Sequence, residues 1–294
     1  MEAAVVPGAQ HLPLVVIVGP TASGKSSLAM EIASAYNGEL ICSDSRTIYK
    51  GMDIGTAKPT VEDRARVPHW GLDLVEPGER FTAADFQEYA SRTIQEIRDR
   101  GHIPIMAGGT GLYVDGVIYD YSFGEAKPEL RKELSNLSDD ELKKYCENNN
   151  IKLPENDKNR RYVIRAIEQK GVNSTRLNEL MPNTLVVGIA TNSDELKQRI
   201  TARAEQLFAD GVVQEAKMLG EKYGWESEAM TGNIYKLTRR YVNGELGEAE
   251  LKQQFITSDW HLAKKQRTWF RRNPSIHWGT ADELRSYLAH KLSP

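Results

Sequence analysis

The sequence predicts an α/β fold, a parallel sheet flanked by helices and interrupted by a small helical insertion domain, on three observations. Gly19-Pro20-Thr21-Ala22-Ser23-Gly24-Lys25-Ser26 spells the pattern G-x-x-x-x-G-K-[ST] between an apolar run and an Ala-rich helical stretch. Short apolar runs then alternate with stretches of helical period, the rhythm of a parallel sheet. Between residues 122 and 183 the texture changes to short, charged, Asn-rich helical segments. The core domain is therefore expected over 12–121 and 184–294, with the insertion at 122–183.

Leu14 to Val18 reads as a buried first strand. The glycines after it let successive backbone N–H groups curl around an oxyanion, and the following helix aims its positive end at the same place. This is a P-loop NTPase-like start, with Lys25 reaching the terminal phosphate and the Ser26 hydroxyl holding Mg²⁺. Glu39 to Cys42 is a second strand that ends at Ser43-Asp44-Ser45. Phe81 to Arg100 carries Phe86, Tyr89, Ile94 and Ile97 at helical spacing and stops at Gly101. Ile103 to Ala107 is a third strand, running into Gly108-Gly109-Thr110-Gly111. Parallel strands end at one edge, so the loop, Asp44 and Thr110 converge in one crevice.

In the insertion, Ser138 to Glu141 opens a helix with a capping box, and Asn156 to Glu168 forms another in which Arg161 and Arg165 share a face. Leu185 to Ala190 resumes the sheet. Helices follow at about Asp194 to Phe208, Val212 to Tyr223, Glu248 to Arg272 and Ala281 to Lys291.

A chain of 294 residues has ample material for such a core. No apolar run approaches the ~20 residues that span a bilayer, and Met1 to His11 lacks the basic start and apolar stretch of a secretory signal, so no membrane partner is expected. Two cysteines, Cys42 and Cys146, build no disulfide framework and match no metal-ligand spacing, which predicts packed thiols in a reducing cytoplasm. The formal charge is −3. Its distribution is uneven: between Thr257 and Arg272, Lys264, Lys265, Arg267, Arg271 and Arg272 stand against Asp259 alone. That asymmetry marks either a polyanion-binding face or a solvated helix face.

Several segments together resemble the tRNA dimethylallyltransferase family: Gly19 to Ser26, Ser43-Asp44-Ser45, Tyr49 to Pro59 (YKGMDIGTAKP), Val67-Pro68-His69, Gly108 to Tyr113 (GGTGLY), Asn156-Asp157 followed by Arg165-Ala166, and Ala263 to Phe270 (AKKQRTWF). The motifs run in the expected order from residue 19 to about 272. The resemblance implies transfer of a five-carbon allylic group from dimethylallyl diphosphate to the exocyclic amine of the adenine just 3′ of a tRNA anticodon, with Mg²⁺ as cofactor.

It also implies roles. Asp44 is the base that takes the proton of a poorly nucleophilic adenine amine. Thr110, Lys25, Arg203 and the loop residues Gly19, Thr21, Ala22, Ser23, Gly24 and Ser26 hold and discharge the leaving diphosphate. Ser45, Thr47, Lys264, Lys265, Gln266 and Arg267 face the tRNA, with Lys264, Arg267 and Arg271 at i, i+3, i+7 on one helical face and Trp260, Trp269 and Phe270 as anchoring bulk. Lys158, Arg160, Arg161 and Arg165 put the insertion against the anticodon stem-loop. Read without the family, Asp44 serves equally as the Mg²⁺-holding acid of a nucleotide hydrolase, and Arg203 as a surface ion pair with Asp194 or Glu205.

The chain departs from the family pattern at three places. Thr47 stands where a base-reading Gln is usual, Trp70 replaces a second His, and Ile234-Tyr235-Lys236-Leu237 replaces Gly-Tyr-Lys-Glu. The insertion is short, and no Cys/His zinc-finger pattern follows it, which favours the prokaryotic type. The working unit is expected to be a monomer in the cytoplasm. Competing classes are an adenylate isopentenyltransferase, against which the Lys-Lys-Gln-Arg segment argues, a P-loop small-molecule kinase, and an RNA-binding module with a dead loop.

Overall fold

The computed structural model describes residues 12–124, 127–154, 156–170 and 177–293; the segment Met1 to His11 and Glu155 lie outside them. Five adjacent fully buried aliphatic residues make β1 (Leu14–Val18). The loop that follows turns at Gly24, whose φ of +94° suits a residue without Cβ, and delivers α1 (Lys25–Ala35). Then come β2 (Gly38–Cys42), α2 (Val61–Arg66), β3 (His69–Trp70), α3 (Ala83–Asp99), β4 (Ile103–Gly108) and α4 (Gly111–Ile118). Thr82 and Asp85 cap α3 reciprocally, so the helix starts after Phe81 rather than on it.

Three helices follow: α5 (Pro128–Ser135), α6 (Asp139–Asn148) and α7 (Arg160–Glu168). Contacts divide the chain into one unit of residues up to 118 and from 179 onward and a second of residues 119–178, a few residues earlier at each end than the sequence-drawn limits. The second unit has its own apolar centre of Leu134, Leu142, Cys146, Val163, Ile164 and Ile167. Ser138 and Glu141 form the capping box at the head of α6. Helix α7 begins at Arg160, not Asn156, because the Asn159 side chain accepts from the Arg161 N–H and starts the helix there.

The first unit resumes with β5 (Thr184–Ile189), α8 (Ser193–Ala209), α9 (Val212–Tyr223), α10 (Asn233–Val242), α11 (Glu248–Phe270), β6 (His277–Gly279) and α12 (Ala281–Leu292). The sheet order is β3-β2-β4-β1-β5-β6 and every pairing is parallel. Val18 pairs with Gly108, Cys42 with Ala107 and Val18 with Gly188, so the carboxyl ends of β1, β2, β4 and β5 lie along one edge. One apolar layer packs α1 and α12 against the sheet, through Leu28, Ile32, Leu284 and Leu288. A second, remote from the strands, joins Ile48, Tyr49 and Met52 to Leu207, Leu219, Tyr235 and Phe255.

Both cysteines are free thiols. Cys42 sits beside Asp44 in a desolvated place that pushes it up to about 12, which makes it inert. Among the described residues no helix is long and apolar enough to cross a membrane.

Candidate active site

A crevice of about 790 Å³ opens at the carboxyl edge of the sheet. Its floor is the phosphate loop. Lys25, on the first turn of α1, donates to the Pro20 carbonyl at 2.7 Å. Burial is the strongest influence on this ammonium and pulls it down to about 8, with Arg203 adding to the fall and Asp44 opposing it. Arg203, from α8, donates through Nη1 to the Thr21 hydroxyl, while its buried Nε has no hydrogen-bond partner. The ion pairs open to it in sequence are taken otherwise: Asp194 meets Lys197 and Glu205 meets Lys252.

One turn earlier on α8, Arg199 donates to the Ser23 carbonyl at 3.1 Å and is held by Glu195 at 2.6 Å. It escaped the sequence reading, although its spacing of four from Arg203 puts both on one helical face. Three cations therefore crowd the loop, and the buried Ser23 hydroxyl is without a partner. Unpaired donors and concentrated positive charge are what an anionic ester of several phosphate oxygens would satisfy.

The opposite lining comes from β2 and β4. Gly108 must be glycine, because a Cβ there would lie 2.2 Å from the Ser43 carbonyl oxygen. That close approach lets the Thr110 N–H donate to Ser43 O at 3.2 Å and brings the Thr110 hydroxyl to the Ser45 N–H at 3.0 Å. Asp44, between them, accepts from the Arg46 N–H at 2.8 Å through Oδ1, which fixes the carboxylate at the crevice wall. Ser45, expected against tRNA, is thus a partner of Thr110.

Ser26 is exposed at the head of α1 and lines the same crevice as Asp44. Among the described residues no group of three or more His, Cys, Asp or Glu could hold a metal. One hydroxyl beside a carboxylate, with phosphate oxygens and waters completing the shell, suits Mg²⁺, a hard ion that keeps part of its hydration.

Helix α11 closes the site in a way the sequence did not disclose. Gln266 Oε1 accepts from the Thr21 N–H at 2.7 Å, and its Nε2 donates to the Gly109 carbonyl at 3.1 Å. Gln266, expected to touch RNA, is a strut between the phosphate loop and the end of β4. Trp269 donates to Asp115 at 2.8 Å and Phe270 is buried, so these two aromatics are packing groups. Trp260 is half-buried beside Leu196 and Ile200, with Lys197 and Lys264 over its ring. Lys264 and Lys265 are exposed on α11, while Arg267 is half-buried with the Ser193 hydroxyl at 3.3 Å and Arg271 caps the helix end.

Also missed were Asp259 and Asn233. The Asp259 carboxyl, 6% exposed, lines the crevice and accepts from Asn233 Nδ2 at 3.2 Å. Burial pushes it up, while Arg203 and Asn233 pull it back. Glu215, on α9, accepts from the N–H groups of Asp53, Ile54 and Gly55 at 2.8, 2.6 and 2.9 Å and from the Tyr235 hydroxyl at 2.9 Å. It thereby holds the segment that carries Gly55 and Thr56 into the crevice lining.

In the second unit, Arg160 donates to the carbonyls of Leu134, Ser135 and Leu137 and pairs with Asp139. Arg165 meets Glu168 at 3.3 Å and the Gly124 carbonyl at 2.7 Å. Both, expected on RNA, have structural partners inside their own unit. Lys158 and Arg161 are exposed.

Fold and crevice define a P-loop-like α/β protein with a cation-lined phosphate end and a carboxylate beside it. A family profile described as IPP transferase matches residues 47–273. The chain is 38% identical to the tRNA dimethylallyltransferase of Acetivibrio thermocellus, covering 93% of each chain, and 36% identical to that of Desulfitobacterium hafniense, covering 90% of this chain and 91% of the relative. Its fold superposes on the tRNA isopentenylpyrophosphate transferase of Bacillus halodurans with a TM-score of 0.74 at 34% identity, over 95% of this chain and 96% of that one. The chain belongs to the IPP transferase family.

Proposed function

We propose that this chain transfers a dimethylallyl group from dimethylallyl diphosphate to the N6 amine of the adenine just 3′ of the anticodon in tRNA, releasing diphosphate. The observation that carries the reading is the shared crevice, in which Lys25 and Arg203 stand at a phosphate loop and Asp44 stands just past the end of β2, on the far side of β4 from β1. The allylic C–O bond breaks, a C–N6 bond forms, and the N6 proton passes to the Asp44 carboxylate. Lys25, Arg203, the loop amides and the Thr110 hydroxyl stabilise the charge that collects on the departing diphosphate. Ser26 would hold Mg²⁺, which when bound neutralises part of that charge.

The acceptor adenine leaves its stack to enter the crevice, which costs a few kcal/mol. Contacts to the surrounding RNA offset this, and Lys264 and Lys265 on α11 with Lys158 and Arg161 in the second unit are the exposed cations assigned to it. A monomer working in the cytoplasm fits this role.

The test is to incubate the protein with Mg²⁺, labelled dimethylallyl diphosphate and unmodified tRNA carrying adenine at the target position. Label in RNA is expected. Label in AMP instead, or phosphate transfer from ATP without use of the allylic donor, would refute the proposal.

A further inference from the structure

The resemblance locates base reading at a glutamine position that Thr47 occupies here. Thr47 is buried, and its hydroxyl is turned back onto the Asp44 carbonyl at 3.3 Å. It has neither the reach nor the paired donor and acceptor of a primary amide. The crevice supplies such an amide elsewhere. Asn233 opens α10 and lines the same cavity, and its Nδ2 donates to Asp259 Oδ1.

An amide reads a base only if its oxygen and nitrogen are held the right way round. Asp259 settles that question, because a carboxylate accepts from Nδ2 and repels Oδ1. Asp259 is itself immobilised: it is buried in α11 and within Coulombic range of Arg203. Among the described residues Asn233 is its one hydrogen-bond partner. A fixed amide presents its oxygen and the second Nδ2 hydrogen in a plane, matching the amine donor and ring-nitrogen acceptor that adenine displays side by side.

We infer that Asn233 is a specificity-determining residue that reads a ring nitrogen next to the acceptor amine, and that Asp259 is the positioning residue that orients its amide. This rests on the prenyl-transfer reading above. It assigns base discrimination in this chain to the α10–α11 wall rather than to the Thr47 position.

The experiment compares synthetic anticodon stem-loops carrying adenosine, 1-deazaadenosine or 7-deazaadenosine at the target position, each analogue lacking one ring acceptor. For the wild type, kcat/KM is expected to fall about tenfold on one of the two analogues, the loss of one hydrogen bond. Asn233→Ala should lose about tenfold on adenosine and be indifferent to that analogue, with the KM for dimethylallyl diphosphate unchanged; Asn233→Ser is the milder second variant. Asp259→Ala should share the indifference, and so should Asp259→Asn, whose own amide can donate or accept and therefore no longer fixes which atom Asn233 presents. Equal rates of the wild type on all three loops, or a full analogue penalty surviving in Asn233→Ala, would overturn the inference. Failure of the wild type on plain adenosine would refute the prenyl-transfer reading itself, and the inference would fall with it.

Discussion

The backbone N–H of Thr21 donates to Oε1 of Gln266 at 2.7 Å across 245 positions of sequence. The phosphate loop is thereby held from above by the helix that carries the basic segment. Gln266→Ala removes the strut and leaves the Thr21 N–H and the Gly109 carbonyl without this partner. We expect a rise in KM for dimethylallyl diphosphate of about tenfold, with tRNA affinity unchanged within twofold. Initial rates against each substrate separate this from a direct RNA contact, which would shift the tRNA term instead.

Asp44→Asn keeps the shape of the side chain and its acceptor for the Arg46 N–H while removing the base. Transfer should fall by about 10²–10⁴, the usual share of general base catalysis. Filter binding of tRNA should stay within a few fold. Turnover equal to the wild type would remove Asp44 from the base role.

Lys25 gives a pH dependence of definite sign. Its folded value is about 8 against an ordinary 10.5, so between these limits the unfolded chain binds more protons and stability rises with pH. Below about 8 the ammonium is charged in both states, and the cost of burying it is fully present. Diphosphate favours the charged form. Its affinity should therefore be flat below about pH 7 and fall as pH rises through 8, with proton uptake visible when titration heats are compared in buffers of different ionisation enthalpy. Lys25→Met should raise the melting temperature at pH 7 while abolishing diphosphate binding; an unchanged or lower melting temperature would contradict the buried-charge account.

The arginines of the second unit divide by role. Arg160 holds the carbonyls at the end of α5, so Arg160→Ala should cost about 1–3 kcal/mol of local stability, read as faster amide exchange in residues 128–148. Lys158→Ala with Arg161→Ala should leave exchange unaltered and reduce the slope of log tRNA affinity against log salt by about one to two. The opposite pattern would assign Arg160 to the RNA.

The sheet interior was legible because β1, β4 and β5 are apolar runs and β2 carries the shorter run Leu40-Ile41-Cys42 after Glu39, and the phosphate loop because its spacing is fixed by the anion it wraps. The edge strands β3 and β6 were not. His69–Trp70 and His277–Gly279 carry no alternation or apolar run and become strands only by pairing with β2 and β5. Helices α2, α4, α5 and α10 also went unread, although Thr60 and Asp63 spell a capping box ahead of the first.

At the site, Lys25, Asp44, Thr110 and Arg203 were placed by motif. The partners of Gln266, Arg160 and Arg165 were not legible, since sequence shows a polar head but not the carbonyl it will find hundreds or tens of residues away. Asp259 was visible only as the lone acid in a basic stretch. That oddity, a carboxylate kept among five cations, was the signal that could have pointed inward.

Glu215 gathers three consecutive amide hydrogens and a phenol onto one carboxylate. A segment tied down by three successive amides to a carboxylate that α10 also holds is a fixed part of the wall, so the crevice should keep a constant outline there. Crystals grown without substrate should accordingly tolerate soaking with the allylic ester, and the tempo of the enzyme would be set by the coming and going of the RNA hairpin rather than by a hinged flap.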